Sequence, residues 1–290
     1  TVSKTLIAHT AAIAAMSAVV AMPAHATATS NASFSNLTIT LTDLDLNDGI
    51  APSLTFGSYG KPYVAVGTHG WADEYISHEY SHEAASLGGA LAGSLIDPLS
   101  SAQVSLSGAN TLAGFTTMST SGQAASTLDG HGAYYGYASG SNPSSRAFTL
   151  SPNTRLTVSV TASLSTTTTL GYNLEADQEE FALASALLGL TGYNQNGEEV
   201  ADVRLYEMGS HFNVRDDGTT IGEHYDWSGM MSVQYSNLSA FATNGYLETG
   251  VAISGLSAVA PVPEPETWGM LLAGLALVGA AGRRKSRRAA

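Results

Sequence analysis

The chain contains no cysteine in 290 residues. That excludes a disulfide framework, thiolate metal sites and cysteine catalysis, so a hydrophobic core has to hold the fold together. Positive charge is nearly as scarce once the two ends are set aside. Lys4 lies near the start, and Arg283, Arg284, Lys285, Arg287 and Arg288 lie at the end. Between them stand only Lys61, Arg146, Arg155, Arg204 and Arg215, against 22 acids, for a net charge of about −17. A surface of that sign excludes nucleic acid and anionic membrane surfaces as partners and suits a divalent cation. Long charged helices are missing too. So are a serine nucleophile elbow, a phosphate loop and a dinucleotide fingerprint.

What is present in the middle is Ser, Thr, Gly, Ala and Asn, with runs of period two. Leu37, Ile39 and Leu41 alternate with Thr38, Thr40 and Thr42. Apolar parity then switches to Leu44 and Leu46, which predicts a bulge or bend after Thr42. Leu54 and Phe56, Val104 and Leu106, residues 155–170, 200–208, 231–238 and 245–259 also read as strands. Gly, Pro and Asn separate most of these runs. The pattern predicts an all-β chain built as a β-sandwich, jelly-roll-like, over residues 27–260. Residues 175–190 stay open between helix and strand. Their Ala, Leu and Glu content favours a helix, and a long sandwich strand would override it.

The two ends are different in kind. Lys4, the apolar run 6–22 and Pro23-Ala24-His25-Ala26 have the layout of a signal peptide over residues 1–26, removed by signal peptidase before Thr27. The other end, residues 261–290, has three parts. Prolines 261, 263 and 265 fix φ and remove backbone donors, which makes an extended spacer. Trp268 to Gly282 is uncharged and predicts a single transmembrane helix of roughly 22 Å, short of the ~30 Å hydrocarbon core. The cations at 283–288 belong on the cytoplasmic side of the inner membrane, with Trp268 at the opposite interface.

Val262-Pro263-Glu264-Pro265, Trp268 opening an apolar segment, and the terminal cluster begun by Arg283 and Arg284 resemble the PEP-CTERM sorting signal of Gram-negative bacteria. The resemblance implies an exosortase as partner, cleavage near Pro263 to Pro265, transient membrane anchoring, and release or transfer to the cell surface. It further implies a producer of extracellular polysaccharide. Leu41 to Ile50 and Leu150 to Thr157 resemble the sandwich-like domains of other proteins with this signal.

Several constellations carry chemistry. His78-Glu79-Tyr80-Ser81-His82 matches H-E-x-x-H, which on a helix puts two zinc ligands on one face with Glu79 as general base of a hydrolase. Glu83 and the polar surroundings depart from that pattern, and a solvated loop or short strand is the other reading. A third ligand would come from Glu175, Glu179 or Glu180. A metal site without catalysis would use His69, His78 and His82 with Asp73, Glu79 and Glu83. Asp43, Asp45, Asn47, Asp48 and Gly49 begin like a calcium loop, but Leu54 stands where the bidentate glutamate belongs, so turn chemistry is the expectation. Asp216-Asp217-Gly218 reads as a hairpin turn, with Asp226 nearby. Tyr134, Tyr135 and Tyr137, Tyr225 and Trp227, and Trp71 are candidate sugar-stacking platforms or ordinary packing residues. The leading expectation is a non-enzymatic exported protein with no resident cofactor and a structural, adhesive or polysaccharide-associated role. A zinc hydrolase and a carbohydrate-binding module are the alternatives.

Overall fold

The computed structural model describes residues 26–57, 61–71, 74–84, 90–108, 115–127, 130–142, 145–169, 172–173, 178–211, 213–214 and 220–257. All of them fall within one compact unit, His25–Val259. The predicted signal peptide and the C-terminal helix lie outside the described residues. Among those residues no helix is long and apolar enough to cross a membrane.

The described chain is all strand and turn. In order the strands are β1 (Thr27–Asp43), β2 (Leu54–Phe56), β3 (Lys61–Trp71), β4 (Tyr75–Glu83), β5 (Leu91–Asp97), β6 (Ser100–Ser107), β7 (Thr117–Thr127), β8 (Gly130–Asn142) and β9 (Ser145–Leu150). Then follow β10 (Thr154–Thr168), β11 (Tyr172–Asn173), β12 (Gln178–Glu179), β13 (Phe181–Tyr193), β14 (Glu199–Ser210), β15 (Asn213–Val214), β16 (Thr220–Ile221), β17 (His224–Asn237) and β18 (Thr243–Leu256).

The strands join into one large antiparallel sheet, with β11–β12 and β15–β16 as separate two-residue ladders. The two layers are thus hydrogen-bonded into one continuous sheet. One half runs β5-β6-β7-β1-β10-β17 and the other β14-β13-β18-β8-β3-β4. Ladder pairing continues between them at Ser126↔His131 and Thr127↔Gly130 of the β7–β8 hairpin.

The halves pack face to face through alternating side chains. In β10, Leu156, Val158, Val160, Ala162 and Leu164 are buried on one face. In β13, Ala182, Ala184, Ala186, Leu188 and Leu190 are buried. That period of two settles the ambiguous segment. From Phe181 onward it is a strand, because β14 and β18 satisfy its backbone on both sides and its even residues fill the core. Helix propensity loses to tertiary pairing.

Aromatic rings complete the core where the opposite layer offers glycine. The Tyr134 ring lies against Gly122 of β7 and Gly255 of β18. Its hydroxyl shares a 2.7 Å hydrogen bond with Ser30 of β1. Burial pushes the Tyr134 phenol well above its usual range. Tyr235 of β17 similarly covers Gly192 of β13 and donates to the Tyr193 carbonyl at 2.7 Å.

The bend predicted after Thr42 is present, with β1 ending at Asp43 and the chain bending at Leu44, and a bulge lies earlier in the strand. In β1 the partners shift between Ser35↔Thr161 and Thr38↔Ser159, one extra residue on β1, with Asn36 at φ 55°. Asparagine tolerates this left-handed backbone better than most residues. Buried parity changes there, from Ala28, Ala32 and Phe34 to half-buried Leu37, Ile39 and Leu41. Leu44 and Leu46 belong to the turn after the strand.

Candidate functional site

The outward face of β4-β3-β8 concentrates aromatic side chains. Cross-strand partners share a face, and Trp71 pairs with Tyr75 on one side and His131 on the other. Its ring stacks on His131 at 4.7 Å between centroids and meets Tyr75 at 5.3 Å. His69 stacks between Tyr75 and Tyr135, at 6.2 Å from each, and its Nδ1 lies 3.2 Å from the Tyr75 hydroxyl. Tyr63 and Tyr137 continue the row at 6.2 Å. The result is a ridge of rings on a sheet surface, with Trp71 and Tyr75 exposed.

Glycine lets the ridge lie flat. Gly67 sits beneath the Tyr135 ring, where any Cβ would collide with the ring atoms. Glu79 is the β4 partner of Gly67 and hydrogen-bonds Tyr135. Partial burial first, and the Glu79 carboxylate second, raise the Tyr135 phenol above its ordinary range. Burial lowers the His131 imidazole, so it is neutral at pH 7 and stacks on Trp71 as an uncharged ring.

Beside the ridge the same face drops into a groove of about 430 Å³. Its floor is made of small residues, Ser185 on β13 with Ala252 and Ser254 on β18. Tyr137 pairs with Ala252, and Tyr135 pairs with Ser254, so the ridge forms one bank. Leu183, Glu207 and His211 stand on the other, with the His211 ring against Gly209.

This geometry sorts the sequence candidates. Trp71, Tyr135 and Tyr137 come together, and His69, His131, Tyr63 and Tyr75 join them. Tyr134 points the other way, into the core. Trp227 stacks on Tyr206 of β14 at 4.3 Å, across the end of the layers, and Tyr225 is exposed on β17 away from the ridge strands. The missed members were legible only as parity: Tyr63, His69 and Trp71 share odd positions, as do His131, Tyr135 and Tyr137.

The H-E-x-x-H segment takes the short-strand reading. It lies in β4, not on a helix. On a strand, positions i and i+4 share a face but stand roughly 13 Å apart, too far for one ion, and the residue between points to the opposite side. His78 turns towards β5, and its Nδ1 meets Asp97 Oδ1 at 2.8 Å. His82 stacks on Tyr80 at 6.4 Å. Glu79 faces the ridge, and Glu83 pairs with Lys61 at 3.7 Å. Glu180 is buried and accepts the Thr169 N–H at 3.0 Å through Oε2. Glu179 lies in β12, while Asp73 and Glu175 lie outside the described residues. Among the described residues no three His, Asp or Glu side chains gather as a metal site.

The calcium-like segment is a set of turns. Asp43 Oδ1 accepts from Asp45 N, Asp45 Oδ1 from Asn47 N, and Asp48 Oδ1 from Ile50 N at 2.7 Å. Gly49 has φ 71°. Each carboxylate serves its own backbone. Asn153 Nδ2 donates to Asp48 Oδ2 at 2.8 Å, and this bond, then the Ile50 N–H, holds the Asp48 carboxyl below its ordinary value. A depressed carboxyl contributes stability that is full above its unfolded pKa, about 3.9, and is lost as pH falls through the folded value. Asp48→Asn should therefore flatten the acid limb of the stability profile below about pH 4 and leave stability at pH 7 little changed in its pH slope. Thermal melts of both proteins between those pH values check this. Asp216, Asp217 and Gly218 lie outside the described residues. Asp226 is exposed, 2.6 Å from His224 Nε2.

Residues 261–287 match the family model of the PEP-CTERM protein-sorting motif. The match takes in Val262, Pro263, Glu264, Pro265, Trp268, Arg283 and Arg284, and it supports exosortase-targeted export towards the cell surface. No curated protein matches the chain.

Proposed function

We propose that this chain is an exported surface or matrix protein whose β domain holds polysaccharide on the β4-β3-β8 face, in a structural or adhesive role. Signal peptidase and an exosortase process its two ends, and the inner membrane holds it transiently through residues 268–282. The observation that carries the reading is the ridge of Trp71, His131, Tyr75, His69 and Tyr135, with Trp71 and Tyr75 open to solvent. Apolar faces of sugar rings stack on such rings, and the hydroxyl groups at the ring edges find Glu79 and the tyrosine hydroxyls. A buried aromatic pair needs no exposed partner, whereas seven rings on an outward sheet face remain half-solvated without a ligand. The role is non-enzymatic. A zinc hydrolase lacks the helix that would bring His78 and His82 to one ion.

The test is retention on the producer's extracellular polysaccharide in affinity electrophoresis. Trp71→Ala/Tyr135→Ala should weaken retention by about tenfold or more, since each aromatic contact contributes about 1 kcal/mol beyond area burial. Tyr225→Ala, off the ridge, should retain the wild-type value. Equal retention of the double variant, or no retention of the wild type, overturns the reading.

A further inference from the structure

The ridge and the groove beside it belong to one surface, and its charge selects among polysaccharides. Across the strands β8, β18, β13 and β14, outward residues line up as Tyr137, Ala252, Ser185 and Glu207. The next row is Tyr135, Ser254, Leu183 and Gly209. Three strand spacings separate Tyr137 from Glu207, roughly 14 Å. A pyranose ring spans about one such spacing, so one sugar over each of the four strands from ridge to far bank makes roughly four in a row.

Fixed charge on this face is acidic. Glu79 stands at the ridge, Glu207 on the far bank, and Glu248 on β18 beside Gly189. Lys61 is already paired with Glu83. The serines of the floor, Ser185 and Ser254, offer neutral hydrogen bonds. Net charge between the two chain ends is about −17, so a uronate or sulfated polymer meets repulsion on approach as well as at the site. A cationic amino group on a sugar meets a carboxylate at both ends of the path.

Building on the polysaccharide reading, we infer that the ridge and the Ser185–Ala252–Ser254 groove form one continuous subsite for an amino-sugar glycan of about four or more residues, with Glu207 and Glu79 recognising its ammonium groups. The ridge alone accounts for stacking. The groove adds length dependence and charge selection.

Calorimetric titration of the full chain with glucosamine oligomers, cello-oligomers and galacturonate oligomers, each as dimer and hexamer, tests this. The glucosamine hexamer should bind at least tenfold more tightly than cellohexaose and than the glucosamine dimer, and the advantage over cellohexaose should shrink as salt rises. Glu207→Gln should remove about three- to fivefold of that advantage while leaving cellohexaose binding unchanged. Asp45→Asn, in the β1–β2 turn, should leave both unchanged and so separates site recognition from bulk charge attraction. Equal binding of the galacturonate hexamer, equal binding of dimer and hexamer, or an equal loss in Asp45→Asn overturns the inference. If Trp71→Ala still weakens cellohexaose binding in those cases, the ridge reading stands without the groove. Should no oligomer bind, both fall.

Discussion

Phe148→Ala should destabilise the β domain by about 3–5 kcal/mol, the largest stability loss expected of a single side chain here. Phe148 is buried in β9 and meets Phe56 edge-on at 6.3 Å and Tyr235 at 6.2 Å. Tyr235 belongs to β17 in the opposite layer, so the ring ties the two halves of the sheet together. Gly245 of β18 lies directly against it, and a Cβ there would overlap the ring. Glycine cannot expand into the vacated space, and the paired backbones of β9 and β18 hold their separation, so a cavity persists. Domains are stable by only about 5–15 kcal/mol, so a third or more of the total is at stake. Guanidinium titration should show the midpoint falling with the slope unchanged. A shift equivalent to less than about 1 kcal/mol would mean that the layers close over the gap.

The second large effect concerns delivery. Replacing Pro263, Glu264 and Pro265 together with alanine should abolish exosortase processing in the producing bacterium, because residues 261–287 are where the sorting motif matches. The variant should accumulate uncut in the inner membrane fraction, held there by the apolar run 268–282. A chain ending at 260 should instead be exported without an anchor and appear in the soluble fraction. Fractionation and immunoblotting distinguish these, and processing of the alanine variant at the wild-type extent would show that the signal lies elsewhere. Phe148→Ala, by contrast, alters the domain and leaves the motif intact, so the two experiments report on separable parts of the chain.

Much of the architecture was legible in the sequence, and for a physical reason. β10 buries aliphatic or β-branched residues at every second position, and the second half of β1 and the middle of β18 place such residues on one face, a periodicity visible without coordinates. The strands that escaped are built differently. β7 reads Thr-Met-Ser-Thr-Ser-Gly-Gln-Ala-Ala-Ser-Thr, and β8 carries Gly132, Gly136 and Gly140 on its inner face. Their core volume is supplied from across the layer or from neighbouring strands, by Tyr134 over Gly122 and Ile253 beside Gly136. A ring on one strand filling a glycine on another leaves no local hydrophobic signature on the glycine strand. The parity change at Leu44 marks the bend that ends β1, whereas the bulge and the change in burial fall earlier, at Asn36.

The site was legible in part. Trp71, Tyr135 and Tyr137 stand out by residue type, and a list of aromatics cannot separate them from Tyr134, which differs by one position and points into the core. His69, a candidate metal ligand by residue type, stacks between Tyr75 and Tyr135. Register decides these cases. The pairing of β3 with β8 puts Trp71 on His131 and Gly67 beneath Tyr135, and no sequence-local pattern encodes which residue faces which across about 60 positions of chain. H-E-x-x-H, read as a short strand, is the converse case. Its chemistry needs the helical period of 3.6, and the segment has the period of a strand.

The position of β18 bears on how the domain would carry load. β18 is the last strand of the domain, and the sorting motif follows within a few residues of it. It pairs along β13 from Phe181↔Leu256 to Gly192↔Gly245, and along β8 and β9 on its other side. A pull applied at the C-terminal end of β18 would therefore fall on a strand paired with β13 from 245 to 256 and with β9 and β8 over 243–248 and 250–256. Drawn along its axis, that strand must break many backbone bonds at once instead of peeling one by one from an edge. Load entering from that end would thus meet a strand held along nearly all its length, not one that peels from an edge.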